Sequence, residues 1–293
     1  MFLKAEADAK AASMLSAPFD GGPLSIASHT PKPKMVVADS QRLSAQEILK
    51  GVSKNAREEL DRPTAALFIS GLAGGMSMGL TGLGLAVAHT YLGFGGSSEV
   101  LANLFYPLGF IAVVIGRAQL FTENTLYPVV IVLDERKEVL NTLRLWGTVL
   151  TANLLGALGF AALSVLSGAL PPASVKALVT VGLQSSQGAF AHFFWAGVIG
   201  GWLIALVAWM VTASHYTIGQ IAVVYLLTYL VGLGHFAHCV ATSGEILSAV
   251  LAGATSLGSY VHWLVPAVLG NIVGGVTLVS LLNYGQVVAG QES

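Results

Sequence analysis

Beyond residue 63 this chain carries almost nothing that water would hold in solution. Residues 1–63 contain 9 of the 14 Lys and Arg and 8 of the 15 Asp and Glu, leaving 5 basic and 7 acidic side chains for the rest of the 293 residues. Charged residues are 10% of the whole and hydrophobic ones 54%, against about 25% charged in an ordinary soluble domain. Six apolar stretches follow in order, near Thr64–Ala88, Val100–Leu133, Leu145–Leu166, Phe190–Val211, Ile218–Leu251 and His262–Leu282. A crossing needs about 20 apolar residues. The second and fifth stretches exceed that, and each has a polar interruption near its middle. With no water in the bilayer core, backbone groups must be satisfied within the protein. The pattern therefore predicts an all-α integral membrane protein of six transmembrane helices, two of them broken, spanning residues 63–285.

The flanks read differently. Residues 1–43 mix Ala, Ser, Pro, Lys and Asp without a period, which predicts disorder. Ser44-Ala45-Gln46-Glu47 is a capping-box pattern. It opens a helix over 44–62 whose apolar side (Ile48, Leu49, Val52, Leu60) suits the membrane surface. Residues 286–293 form a short tail. Basic residues cluster in the N-terminal segment and in the loop with Arg136, Lys137 and Arg144, two crossings later. The positive-inside rule puts both in the cytoplasm, and the C-terminus with them, in the cell's inner or plasma membrane; the loop around Lys176 falls outside. No secretory signal opens the chain. The net charge of −1 and the lack of a basic face argue against a nucleic-acid partner. The one cysteine, Cys239, excludes an internal disulfide or a Cys-rich metal site.

The two interruptions belong to a repeat. Ala152-Asn153-Leu154-Leu155-Gly156-Ala157 matches Gly270-Asn271-Ile272-Val273-Gly274-Gly275, with the asparagines 118 positions apart. Each follows its own interruption at a similar interval: Thr122 to Asn153 is 31 residues, Thr242 to Asn271 is 29. Two halves with an odd number of crossings each must be inverted relative to one another. Paired broken helices in inverted repeats line a path in transporters. Asn153, Asn271 and Gly274 are read as helix-packing residues.

The first interruption, Gly116 to Thr125, holds Arg117, Glu123 and the hydroxyl donors Thr122 and Thr125. Charges at that depth are expensive in lipid and should face protein or a wet cavity. The second, Gly234 to Glu245, holds His235, His238, Thr242 and Glu245. His235 and His238 stand at i, i+3, but no third ligand of zinc spacing is near, so no metal or cofactor is implied. A histidine lining a path, able to hydrogen-bond or exchange a proton with the solute, is the expectation.

Leu120-Phe121-Thr122, then Gly234 to His238-Cys239-Val240-Ala241, then Gly270-Asn271-Ile272-Val273-Gly274-Gly275, resemble the formate/nitrite transporter family over about Pro63 to Gly285. The resemblance implies an aquaporin-like protomer, a homopentamer with one pore per protomer, and small monovalent weak-acid anions such as formate, nitrite, hydrosulfide or lactate. It implies that Thr122 is the loop threonine and His238 the central histidine, hydrogen-bonded across the pore between hydrophobic constrictions. This chain departs from the pattern in several places. Arg117-Ala118-Gln119 replaces a glycine and an acid before Leu120. Ser185 falls near the place of a vestibule lysine, and Gly200-Gly201-Trp202-Leu203 lacks an asparagine. These departures mark a divergent branch.

Glu123 and Glu245 have no obvious place in an anion path, so one of them is expected to pair with Arg117 and staple the two interruptions together. Three other functions stay open: a channel for a small neutral or cationic solute, an occluded sensory protein, and an intramembrane hydrolase using Ser77 or Ser243.

Overall fold

The computed structural model describes residues 42–290. The disorder expected for 1–43 falls almost wholly outside that range, as do the last three residues of the tail. Helix α1 (Ala45–Asp61) begins at the expected capping box. Ser44 Oγ accepts the Glu47 N–H at 3.2 Å, and the Glu47 carboxylate accepts the Ser44 N–H at 2.8 Å. Its apolar side is covered by protein rather than by lipid. Val52 packs with Leu126, Val130, Ala208 and Trp209. Gly51 abuts Thr212, and Arg57 pairs with Glu135.

The first half continues with α2 (Thr64–Leu92) and α3 (Ser97–Ala102). A 3₁₀ turn leads into α4 (Pro107–Ile115); α5 (Tyr127–Glu135) and α6 (Val139–Leu166) follow. The second half comprises α7 (Pro172–Ser185), α8 (Phe190–Thr212), α9 (Thr217–Leu233), α10 (Ala241–Leu251) and α11 (Leu257–Gly275). A π-helical turn, Val276–Leu281, joins α11 to α12 (Leu282–Ala289), so the last rod runs past residue 285. The six crossings are α2, α4 with α5, α6, α8, α9 with α10, and α11. The second and fifth are the broken ones. Prolines open three helices, Pro107 at α4, Pro128 at α5 and Pro172 at α7. The N–H that proline lacks would find no helical partner in the first turn anyway.

The inverted repeat is visible in the packing. Helix α2 lies along α6 as α8 lies along α11, and α1 lies on α5 as α7 lies on α10. The stretch around Lys176, expected as a loop, is therefore a helix and the counterpart of α1. Glycine makes the paired crossings possible. A Cβ on Gly75 would overlap the Asn153 carbonyl, and one on Gly201 the Asn271 carbonyl. Gly156 and Gly274 meet the Leu72 and Val198 carbonyls in the same way. Between membrane helices it is such close contact, not hydrophobicity, that drives association.

Candidate functional site

Both broken helices end in the same way. The Arg117 N–H reaches the Val114 carbonyl at 3.3 Å and the Ala118 N–H the Val113 carbonyl at 3.0 Å. His235 N–H to Gly232 O and Phe236 N–H to Val231 O, each at 3.0 Å, repeat the pattern 118 residues on. These are the 5→2 and 6→1 bonds of a Schellman cap, whose left-handed residue is usually glycine. Here Arg117 (φ 54°) and His235 (φ 50°) occupy it, at a strain of about 1–2 kcal/mol each.

Past each cap the backbone has no helix to satisfy it, and an asparagine from the next crossing, α6 or α11, supplies the partners. Asn153 Oδ1 accepts the Phe121 N–H at 2.9 Å, and its Nδ2 donates to the Gly71 and Gln119 carbonyls at 2.7 and 2.9 Å. Asn271 Oδ1 accepts the Cys239 N–H at 2.9 Å, and its Nδ2 donates to the Gly197 and Ala237 carbonyls at 2.8 Å each. Both asparagines are fully buried. The expected packing role is thus more specific: each one ties a loop to the interior of a neighbouring helix. Gly274, against the Val198 carbonyl, is a packing residue in the plain sense.

The two loops meet at a waist. Thr122 Oγ1 and His238 Nε2 are 2.8 Å apart, and both residues are fully buried. Phe110 stands edge-on to the imidazole at 4.9 Å. The ring's tautomer follows from its other nitrogen. The Ala241 N–H donates to His238 Nδ1 at 3.0 Å, so a neutral ring carries its proton on Nε2 and donates it to Thr122 Oγ1. That leaves the Thr122 hydroxyl proton without an acceptor among the described residues. Leu120 and Phe121 are buried beside it; the Phe121 ring packs edge-on against Trp146, 6.0 Å away.

A cavity opens on either side. The one beside α1, of about 340 Å³, is lined by Lys54, Glu58, Glu59, Arg117, Gln119 and Glu123 among others. The one beside α7, of about 180 Å³, is lined by Glu99, Ser185, His235, Thr242, Glu245 and Trp263 among others. They share no lining residue, and neither Thr122 nor His238 opens onto either. This geometry corrects the stapling idea. Arg117 and Glu245 lie in different cavities. Glu123 shares Arg117's cavity, yet Arg117 forms no ion pair among the described residues. His235 and His238 also part: the first lines the α7-side cavity, the second closes the waist. The hydrolase arrangement is absent at Ser243, whose hydroxyl donates to the Cys239 carbonyl at 2.6 Å and meets Tyr260 Oη at 3.0 Å.

Phe110 escaped sequence reasoning, and so did the α7 wall of one cavity apart from Ser185, which the family pattern had placed in a vestibule. Nothing in an apolar run marks which phenylalanine will face a histidine more than a hundred residues away.

The formate/nitrite transporter family matches residues 46–285. The inner membrane protein YfdC of Escherichia coli (strain K12) is 33% identical over 263 residues, covering 87% of this chain and 83% of its own. A probable formate transporter of Methanothermobacter thermautotrophicus is 31% identical over 207 residues, covering 64% of this chain and 75% of its own. Among solved structures, an ion channel of the same family superposes with a TM-score of 0.72 at 19% identity, over 83% of this chain and 98% of that one. A pentameric formate channel with formate bound gives 0.63 at 20% identity, over 77% and 98%.

Proposed function

Because the chain belongs to the formate/nitrite transporter family, we propose that it passes small monovalent weak acids of the formate, nitrite or hydrosulfide type through each protomer. It is an integral, multi-pass membrane protein. The observation that carries the proposal is the Thr122–His238 hydrogen bond at the meeting of the two broken helices, with a cavity on either side. Two donors converge there, the His238 Nε2–H and the Thr122 hydroxyl. A carboxylate or nitrite oxygen entering the waist can accept both, in place of the water it leaves behind. Donors held in advance by Asn153 and Asn271 need no rearrangement, the condition under which a dry site favours a polar solute.

Thr122, His238, Leu120 and Phe121 form the narrow part of this path. Thr242 and Glu245 line the cavity on one side of it, and Arg117 and Glu123 the cavity on the other. The protomers assemble as a homopentamer, in keeping with the pentameric formate channel of like fold. Residues Lys50, Lys54, Arg136, Lys137 and Arg144 gather on the α1 side, whereas Lys176 alone marks the α7 side. By the positive-inside rule the α1 side and both termini are cytoplasmic.

Flux into proteoliposomes tests this with formate, nitrite, hydrosulfide and lactate, and with glycerol as a neutral control. Thr122→Val and His238→Asn each alter one donor at the waist. Each is expected to slow weak-acid flux by about tenfold or more, the equivalent of roughly one charge-assisted hydrogen bond, with the oligomer intact. Flux no greater than in empty liposomes, or unchanged in both variants, would refute the reading.

A further inference from the structure

The α7-side cavity contains a buried acid that the weak-acid path does not explain. Glu245 is 3% exposed, and its Oε1 has no hydrogen-bond partner. Its Oε2 has one distant donor, the Ser185 hydroxyl at 3.5 Å. Room has been left for this side chain. A Cβ on Gly82 would stand 2.9 Å from Glu245 Cγ, and a Cβ on Gly182 would overlap the Glu245 backbone carbonyl. Helices α2 and α7 thus close around the acid at glycine distance.

The other ionisable groups facing the cavity are Glu99, His89, His192, His235 and Tyr106, with no Lys or Arg among its lining residues. Glu99 is already engaged: Oε1 accepts the Gly95 N–H at 3.1 Å, and Oε2 stands 3.6 Å from His89 Nε2. No Lys or Arg occurs anywhere after Lys176. A carboxylate kept from water and left without a partner is strongly disfavoured, so a ligand that supplies the missing donor is stabilised there.

The lining says which kind. Tyr106, Phe193, Phe236 and Trp263 line the same space. An aromatic wall with one free carboxylate oxygen suits an N–H-bearing cation. A hard metal cation wants six or more oxygens for calcium, or near-ideal octahedral geometry for magnesium. No cluster of three His, Cys, Asp or Glu arranged for a metal occurs among the described residues.

We infer that the α7-side cavity is a binding site for a small ammonium-class cation, held by Glu245 Oε1 against these aromatic rings. A cation seated there also neutralises the carboxylate charge that an incoming anion meets at this mouth.

The test is binding to the purified full-length protein, read as thermal stabilisation and by calorimetry at constant ionic strength. Ammonium and methylammonium chloride are compared with sodium, potassium and N-methylglucamine chloride. Saturable stabilisation by the first two is expected, weakened by about tenfold or more in Glu245→Gln, which removes the charge but keeps the shape. Ser185→Lys is the second variant. It tethers an ammonium group next to Glu245 and is expected to abolish the response to added ammonium while raising the resting stability. An equal response to sodium and ammonium, or an unchanged response in both variants, would overturn the inference. The readout involves no flux. Failure here leaves weak-acid passage standing, and ammonium binding by a protein that passes no weak acid would sink the other reading alone.

Discussion

Asn271→Ala removes three hydrogen bonds at once from a loop with no helix to fall back on. The amide holds the Cys239 N–H at 2.9 Å and the Gly197 and Ala237 carbonyls at 2.8 Å, all at a fully buried position. Side-chain bonds inside membrane proteins average about 0.6 kcal/mol, and buried bonds generally about 1 kcal/mol. Three of them come to about 2–4 kcal/mol, with the upper end favoured because Cys239 N–H and Ala237 O are left unpartnered in non-helical backbone. For a chain of this size that corresponds to a fall of about 5–15 °C in denaturation midpoint. Asn153→Ala removes the symmetric set, at 2.9, 2.7 and 2.9 Å, and should match it within a factor of about two. Asn271→Asp is no rescue, since it keeps the acceptor for Cys239 but turns a carboxyl group toward two carbonyls. The assay is loss of the folded oligomer on heating in one detergent. Gly147→Ala serves as the neutral control, because a Cβ there meets nothing within 4 Å. If Asn271→Ala shifts the midpoint no more than that control does, the three bonds do not hold the loop. If only one asparagine matters, the halves are not mechanically equivalent.

Two further outcomes follow from local geometry. Arg117→Gly relieves a left-handed backbone at φ 54° and should stabilise the protein by about 1 kcal/mol in the same heating assay; a loss of stability would show that the guanidinium does more for the fold than its strain costs. Glu47 is held below the usual carboxylate range by its hydrogen bonds to Ser44. A depressed acid stabilises its helix above the unfolded value of 4.5 and stops doing so as pH falls through the folded value. Amide protection over the first turn of α1, measured relative to the intrinsic exchange rate at each pH, should therefore fall on acidification below that point, and Ser44→Ala should abolish the change; protection independent of pH in the native chain would refute the capping account.

Much of this architecture was legible one residue at a time. Apolar length and the exile of charge to residues 1–63 demanded a membrane, because no other solvent suits such a surface. The two polar interruptions and the asparagines 118 positions apart exposed the inverted repeat, since a crossing has fixed length and duplicated halves keep their register. Ser44 and Glu47 announced the start of α1, because capping acts within one turn. What the sequence could not reveal depended on contacts between distant segments. Helix α7 looked like a loop around Lys176 because its helicity comes from packing on α2 and α10, not from a strong pattern of its own. Arg117 was expected to pair with Glu123 or Glu245: sequence does not tell which side of a waist a charge faces, and the fold put Glu245 on the opposite side and left Glu123 in the same cavity but unpaired with it. That Thr122 would come within 2.8 Å of His238 was suggested by resemblance alone. Only the tertiary structure brings them together, since each sits on unwound backbone whose course is set by an asparagine from another helix.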